Sequence, residues 1–172
     1  MIENKFQIDD WDKYFFNIVN VIARKSKDPS SKVGSLIVKS NHILSSGFNG
    51  MPIGVEDLPD RYSNRELKYQ LISHSESNAC MVGARFGVNL CDSTIFTHSV
   101  PCVFCAKQLI QCGVKVVKTL SSCNKIWKEY QKNWNESVNN SIMILKESGV
   151  ELVECDIKCF DQVLIGGILY EI

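Results

Sequence analysis

Trp11, Phe15, Ile18, Val19 and Ile22 recur every three or four positions. That is the spacing of one face of a helix. The first predicted element is therefore an amphipathic helix, and it ends before Asp28-Pro29, because proline restricts the residue ahead of it. The period then changes. Residues 33–38 and 43–47 read as paired strands, with Ser40, Asn41 and His42 supplying the turn. His42 fits a turn residue better than a ligand. Residues 47–72 show no sustained period and carry Gly47, Gly50, Pro52, Gly54 and Pro59, then Arg61, Arg65 and Lys68. A long irregular loop is expected there, and such loops more often carry function than not. Helices are predicted over 73–85, closed by Gly87, and over 102–112, stopped at Gly113. Strands are predicted over 94–97, 114–120 and 150–153, with helix signals between 127 and 147. Residues 156–172 receive no element. No segment repeats. The alternation of strands and helices predicts an α/β chain with a mixed sheet covered by helices.

At 172 residues the chain fits one domain, residues 1–172. Lys plus Arg and Asp plus Glu are both 19, a formal net charge of zero. That argues against broad nucleic-acid binding, whose affinity comes from excess positive charge. A small substrate is expected instead. The start, Met1-Ile2-Glu3-Asn4-Lys5, lacks the apolar run of a signal peptide. A cytoplasmic location is expected, with the eight cysteines reduced. No stretch is long enough for a membrane, since the apolar run 163–170 is short and contains Gly166 and Gly167.

Two short stretches bring chemistry: His74-Ser75-Glu76 and Pro101-Cys102-Val103-Phe104-Cys105. Cys102 and Cys105 are three apart, so in the first turn of a helix they share a face. Pro101 suits that start, and helix-start N–H groups favour thiolates. His74 and Glu76 are two apart and do not share a helix face. His74 is read as a metal ligand and Glu76 as the group that moves protons. One imidazole and two thiolates leave the fourth position of a tetrahedral Zn²⁺ open for water. The set H-x-E with P-C-x-x-C is that of the zinc nucleobase deaminases. The competing reading is a closed structural site with His98 as fourth ligand, which leaves Glu76 without a task. The remaining cysteines, 80, 91, 112, 123, 155 and 159, read as small buried apolar residues; Cys155 and Cys159 could form a second site, but no histidine lies near them.

At this point the chain resembles the deoxycytidylate deaminases of bacteria and their phages, within the cytidine deaminase superfamily. The residues that carry it are Lys27-Asp28-Pro29-Ser30-Ser31-Lys32-Val33-Gly34, Gly47-Phe48-Asn49-Gly50-Met51-Pro52 and Asn64-Arg65-Glu66-Leu67-Lys68-Tyr69. The His74 motif with Asn78-Ala79, and the Pro101 motif, complete the set. The likeness runs from Trp11 to about Val153. It departs at Ser75, where the family usually has alanine, and at His98, usually small or apolar. The resemblance implies a cytidine deaminase-like three-layer α/β/α sandwich around a five-stranded sheet. It implies a homo-oligomer, often a hexamer, and conversion of dCMP to dUMP, the thymidylate precursor. It also implies activation by dCTP and inhibition by dTTP, with Mg²⁺ accompanying these triphosphates. Rivals are a deaminase of dCTP, of a free nucleoside or of tRNA adenosine, and a non-catalytic zinc module.

Substrate contacts are assigned with alternatives open. Asn49 matches the residue for the deoxyribose 3′-hydroxyl, or is a turn residue beside Gly50. Ser99 reads the cytosine edge, or satisfies a local turn. Lys32 and Arg85 are candidates for the 5′-phosphate, or are solvated charges. Trp127, Tyr130 and Trp134 line a nucleotide pocket, or belong to the core. An effector site is placed on Gly47, Asn49, Gly50, Met51, Arg61, Arg65 and Lys68. Glycine there lets N–H groups approach phosphates closely, and the cations neutralise them. Its alternative is a surface loop or an oligomer contact.

Overall fold

A computed structural model of the chain describes residues 8–130, 135–159 and 162–171. The predicted first helix is α1, Trp11–Ala23, capped by the Asp10 carboxylate, which accepts from the Asp12 and Lys13 N–H groups. Strands β1 (Gly34–Lys39) and β2 (His42–Phe48) form the expected hairpin, turning at Ser40 and Asn41, both at positive φ. Next come α2 (Pro59–Ser63), α3 (Arg65–Leu71), α4 (Ser75–Arg85), β3 (Thr94–Thr97) and α5 (Val103–Gln111). Strand β4 (Val116–Leu120), α6 (Ser121–Tyr130), α7 (Asn135–Glu147) and β5 (Glu151–Cys155) follow, then β6 (Gln162–Ile165) and β7 (Ile168–Glu171).

Five strands make one sheet in the order β2-β1-β3-β4-β5. Strand β1 is antiparallel to both β2 and β3, whereas β3, β4 and β5 run parallel, so the sheet is mixed. Alternation along the strands explains the two covering layers. Leu36 and Val38 face a core with Phe15, Phe16 and Val19 of α1 and with Phe96. Ile37 and Ile95 face the opposite core, with Ala79 and Cys80 of α4, Ala106 and Leu109 of α5 and Leu145 of α7. This is the expected α/β/α sandwich.

Two expectations are corrected. Residues 47–72 are not one irregular loop. Pro59 opens α2, and the Asn64 side chain accepts from the Leu67 N–H to start α3, so two short capped helices replace half of the loop. The tail also carries structure. Val163 and Ile165 are buried, and Gly166-Gly167 turns β6 into β7 with both residues at positive φ, the turn that a two-residue hairpin needs. Among the described residues no helix is long and apolar enough to cross a membrane.

Candidate active site

The two sequence motifs meet because each sits where a helix begins. His74 is the N-cap residue of α4 and Cys102 that of α5. The predicted starts therefore shift by a residue or so, and Cys105 lies in the first turn behind Cys102. Neighbouring elements fix both ends. The Asn78 side chain donates to the Phe48 carbonyl at 2.7 Å and the Ser45 hydroxyl to the Ala79 carbonyl at 2.6 Å, tying α4 to β2. The Val100 and Val103 N–H groups donate to Asn124 Oδ1 and Ser137 Oγ, holding the approach to α5.

His74 Nδ1 lies 3.4 Å from Cys102 Sγ and 3.6 Å from Cys105 Sγ. These three ligand atoms form a cluster able to hold a metal ion. Their charges are coupled. The Cys105 thiol, followed by His74, holds the Cys102 thiol down at about 4 despite burial. The Cys102 sulfur and burial push Cys105 far up. Burial pulls His74 down, but its bond to Cys102 and the charges of Glu76 and Cys102 leave it raised. The set is a thiolate stabilised by two donors, ready to exchange its protons for a cation.

Glu76 follows in the first turn of α4, buried, its carboxyl pushed up by desolvation. Its Oε1 accepts from Thr97 Oγ1 at 3.2 Å and its Oε2 from Ser75 Oγ at 3.3 Å. His74, Ser75, Glu76 and Cys102 line an open cavity of about 310 Å³, large enough for a small ligand.

His98 is not beside the metal cluster. It is fully buried, with Nδ1 accepting the Gly34 N–H at 3.1 Å and Nε2 donating to Asn20 Oδ1 at 2.8 Å. Burial pulls its imidazole down to about 4, so it stays neutral. Both ring nitrogens are engaged with α1 and β1, which leaves none for a metal. The closed structural site with His98 as fourth ligand is excluded by this arrangement.

The other candidates divide. Asn49 and Ser99 both line the cavity. Asn49 also braces the wall, accepting from the Val33 N–H and donating to the Ser31 carbonyl. Lys32 and Arg85 are not among the lining residues; the Lys32 ammonium donates to the Ser26 carbonyl, and Arg85 sits in the last turn of α4. Arg65 and Lys68, placed by sequence in a separate effector site, line the same cavity as Glu76. The reason is α3, which turns their side chains to the cavity rim. Lys68 is buried there and paired with Asp28 at 3.2 Å, with Ser30 Oγ at 3.3 Å. The Arg65 guanidinium lies 5.5 Å from the Tyr69 ring centre. Arg61 instead donates to the Glu56 carbonyl. Gly47 is a packing residue: a Cβ there would sit 2.3 Å from the Ser75 carbonyl oxygen. Gly50 pairs with Ser73, and Met51 is half-buried. Trp127 and Tyr130 line the cavity, whereas Trp134 lies outside the described residues. Sequence reasoning overlooked Asp28, Ser30, Tyr62 and Tyr69 as lining residues; the only signal was their place inside the quoted motifs or beside Arg61.

Residues 9–121 match the family described as the cytidine and deoxycytidylate deaminase zinc-binding region. The chain is 37% identical over 145 residues to an uncharacterized deaminase in the luxG 3′ region of Aliivibrio fischeri, covering 84% of this chain and 93% of that protein. It is 39% identical over 118 residues to human deoxycytidylate deaminase, covering 65% of this chain and 65% of that relative's length. A solved structure of the dCMP deaminase of cyanophage S-TIM5, in complex with dCMP and dUMP, superposes with a TM-score of 0.64 at 25% identity, over 87% of this chain and 99% of that one. With two helix starts presenting His74, Glu76 and Cys102 to one cavity, Cys105 beside them in the metal-ligating cluster, and the family match spanning residues 9–121, the chain belongs to the cytidine and deoxycytidylate deaminase family.

Proposed function

We propose that this chain hydrolyses dCMP to dUMP and ammonia, using Zn²⁺. The observation that carries the reading is the meeting on one cavity of His74 and Cys102 from a triad able to hold a metal ion, the buried Glu76 carboxyl group, Arg65 and Lys68. In a tetrahedral zinc site with Zn–S of about 2.3 Å and Zn–N of about 2.0 Å, nitrogen and sulfur ligands lie about 3.5 Å apart. The 3.4 and 3.6 Å between His74 and the two sulfurs fit that spacing. Two thiolates and one imidazole also suit zinc in donor type. When bound, Zn²⁺ supplies a Lewis acid that lowers the pKa of water.

Glu76 handles the protons. Its carboxylate takes one from the attacking water as the water oxygen adds to C4 of cytosine. It passes that proton to ring N3. It then takes the second proton of the added oxygen and delivers it to the amine. The C4–N4 bond breaks, ammonia leaves and a C4 carbonyl remains. Burial keeps the Glu76 carboxyl in the range where it can hold a proton between these transfers.

In this reading Asn49 holds the deoxyribose 3′-hydroxyl and Ser99 the cytosine edge, supported by their both lining the cavity. Arg65 takes the 5′-phosphate in place of Lys32 and Arg85. Of the cations among the described residues that line the cavity, Arg65 and Lys68, the second is already paired with Asp28. Regulation by dCTP and dTTP with Mg²⁺ is supported by the family resemblance, as is assembly into a homo-oligomer, for which exposed Met81, Phe86 and Phe104 on α4 and α5 offer apolar surface.

The experiment is ammonia release from a panel of dCMP, dCTP, CMP, deoxycytidine and a tRNA anticodon stem. Highest kcat/KM on dCMP is expected. Preference for deoxycytidine or for the tRNA stem would overturn the reading.

A further inference from the structure

Ser75 stands where alanine is usual, and the fold gives its hydroxyl a specific setting. Ser35 of β1 and Thr97 of β3 are direct partners in the antiparallel pair. On β1 the side chain of Ser35 falls on the same face as Ile37, and on β3 that of Thr97 falls with Ile95, the face that packs against α4. Ser75 is the first residue of α4 and comes down onto them. Four contacts then close on themselves. Glu76 Oε2 lies 3.3 Å from Ser75 Oγ, Ser75 Oγ 2.7 Å from Ser35 Oγ, Ser35 Oγ 3.0 Å from Thr97 Oγ1, and Thr97 Oγ1 3.2 Å from Glu76 Oε1. All three hydroxyl residues are fully buried.

Each carboxylate oxygen of Glu76 thus has a hydroxyl of its own, and Ser35, which does not line the cavity, ties those two hydroxyls together. Thr97 Oγ1 also lies 3.5 Å from the Gly34 carbonyl oxygen.

We propose that Ser35, Ser75 and Thr97 are positioning residues that clamp both oxygens of Glu76 and fix the angle of its carboxyl group in the cavity. Orientation of a reacting group acts on the chemical step, so the ring bears on kcat rather than on binding. The inference rests on Glu76 being the proton carrier.

The test begins with Ser35→Ala, because Ser35 touches neither Glu76 nor the cavity wall. Opening the ring there should lower kcat about tenfold, the scale of one hydrogen bond to a charged group, with KM for dCMP within about twofold and zinc content unchanged. Thr97→Val keeps the shape and loses the hydroxyl, so it should lose as much. Thr97→Ser keeps the hydroxyl and should stay within about twofold of the parent. Combining Ser35→Ala with Thr97→Val should cost little more than either, since one break already opens the ring. If Thr97→Val fails to fold, Ser35→Ala carries the same numbers alone. Full kcat in Ser35→Ala, equal losses in Thr97→Ser and Thr97→Val, or multiplying losses in the double variant each overturn the proposal. Turnover surviving in Glu76→Ala would instead sink the proton-carrier reading itself, which keeps the two failures apart.

Discussion

Gly47→Ala separates a packing role from an effector role. The added Cβ would lie 2.3 Å from the Ser75 carbonyl oxygen, 2.4 Å from the Ala79 nitrogen and 2.9 Å from the Asn78 carbonyl carbon, all backbone atoms. Ordinary contact needs about 1 Å more than the shortest of these. Backbone cannot rotate aside like a side chain, so the first turn of α4 must move about 1 Å away from β2. That strains the bonds from Asn78 to the Phe48 carbonyl and from Ser45 to the Ala79 carbonyl. Overpacking alone costs about 1–3 kcal/mol, and each weakened bond about 1 kcal/mol more. A loss of about 3 kcal/mol lowers Tm by about 6–12 °C in a chain of this size. His74 and Glu76 ride on the displaced turn, and a 1 Å error at reacting groups costs about a hundredfold in rate. Thermal unfolding and dCMP turnover at saturation, measured on the same sample, check both numbers. A variant with parental Tm and full basal turnover, altered only in its response to dCTP or dTTP, would refute the packing argument and return Gly47 to an effector site.

Three further outcomes follow from the same geometry. His98 is held at about 4 by burial, below its ordinary 6.5, so the unfolded chain takes the proton first; the metal-free protein should lose up to about 3 kcal/mol as pH falls from about 6.5 to about 4, and denaturant midpoints for the parent and His98→Gln at both pH values would refute this by showing equal slopes. Arg65→Ala should raise KM for dCMP about tenfold or more while leaving deoxycytidine unchanged, and Arg85→Ala should alter neither; steady-state kinetics on both substrates decide, and equal effects of the two variants would count against a phosphate contact at Arg65. Replacing Cys155 and Cys159 together by serine should leave zinc at one per chain by metal analysis, whereas chelation should remove it along with turnover.

The sequence patterns that proved readable were those set by local period or chain-adjacent spacing. Helix α1 follows from Trp11 to Ile22, and the β1–β2 hairpin from two apolar runs around Ser40 and Asn41. Helices α2 and α3 escaped because a short helix such as Arg65–Leu71 leaves an apolar stripe of only Leu67 and Leu71; only Pro59 and the Asn64 cap signalled them. The β6–β7 hairpin had its signal in Gly166-Gly167 between apolar residues, but the same run was weighed only as a membrane candidate. The metal-ligating set was legible because nearly all its information lies in two short segments. His98 was not, since its partners Gly34 and Asn20 are 64 and 78 residues away and no spacing rule reaches that far. The shared cavity of Arg65, Lys68 and Glu76 depends on where α3 docks, which is a tertiary fact.

The central claim is that Glu76 carries the protons of a metal-assisted hydrolysis of dCMP. The most direct test measures ammonia and dUMP formed from dCMP by the parent and by Glu76→Ala, with zinc content determined on the same samples. The account predicts equal ammonia and dUMP from the parent, and one zinc per chain with no turnover in Glu76→Ala. A parent that leaves dCMP unchanged, or a Glu76→Ala protein that retains its rate, would contradict it.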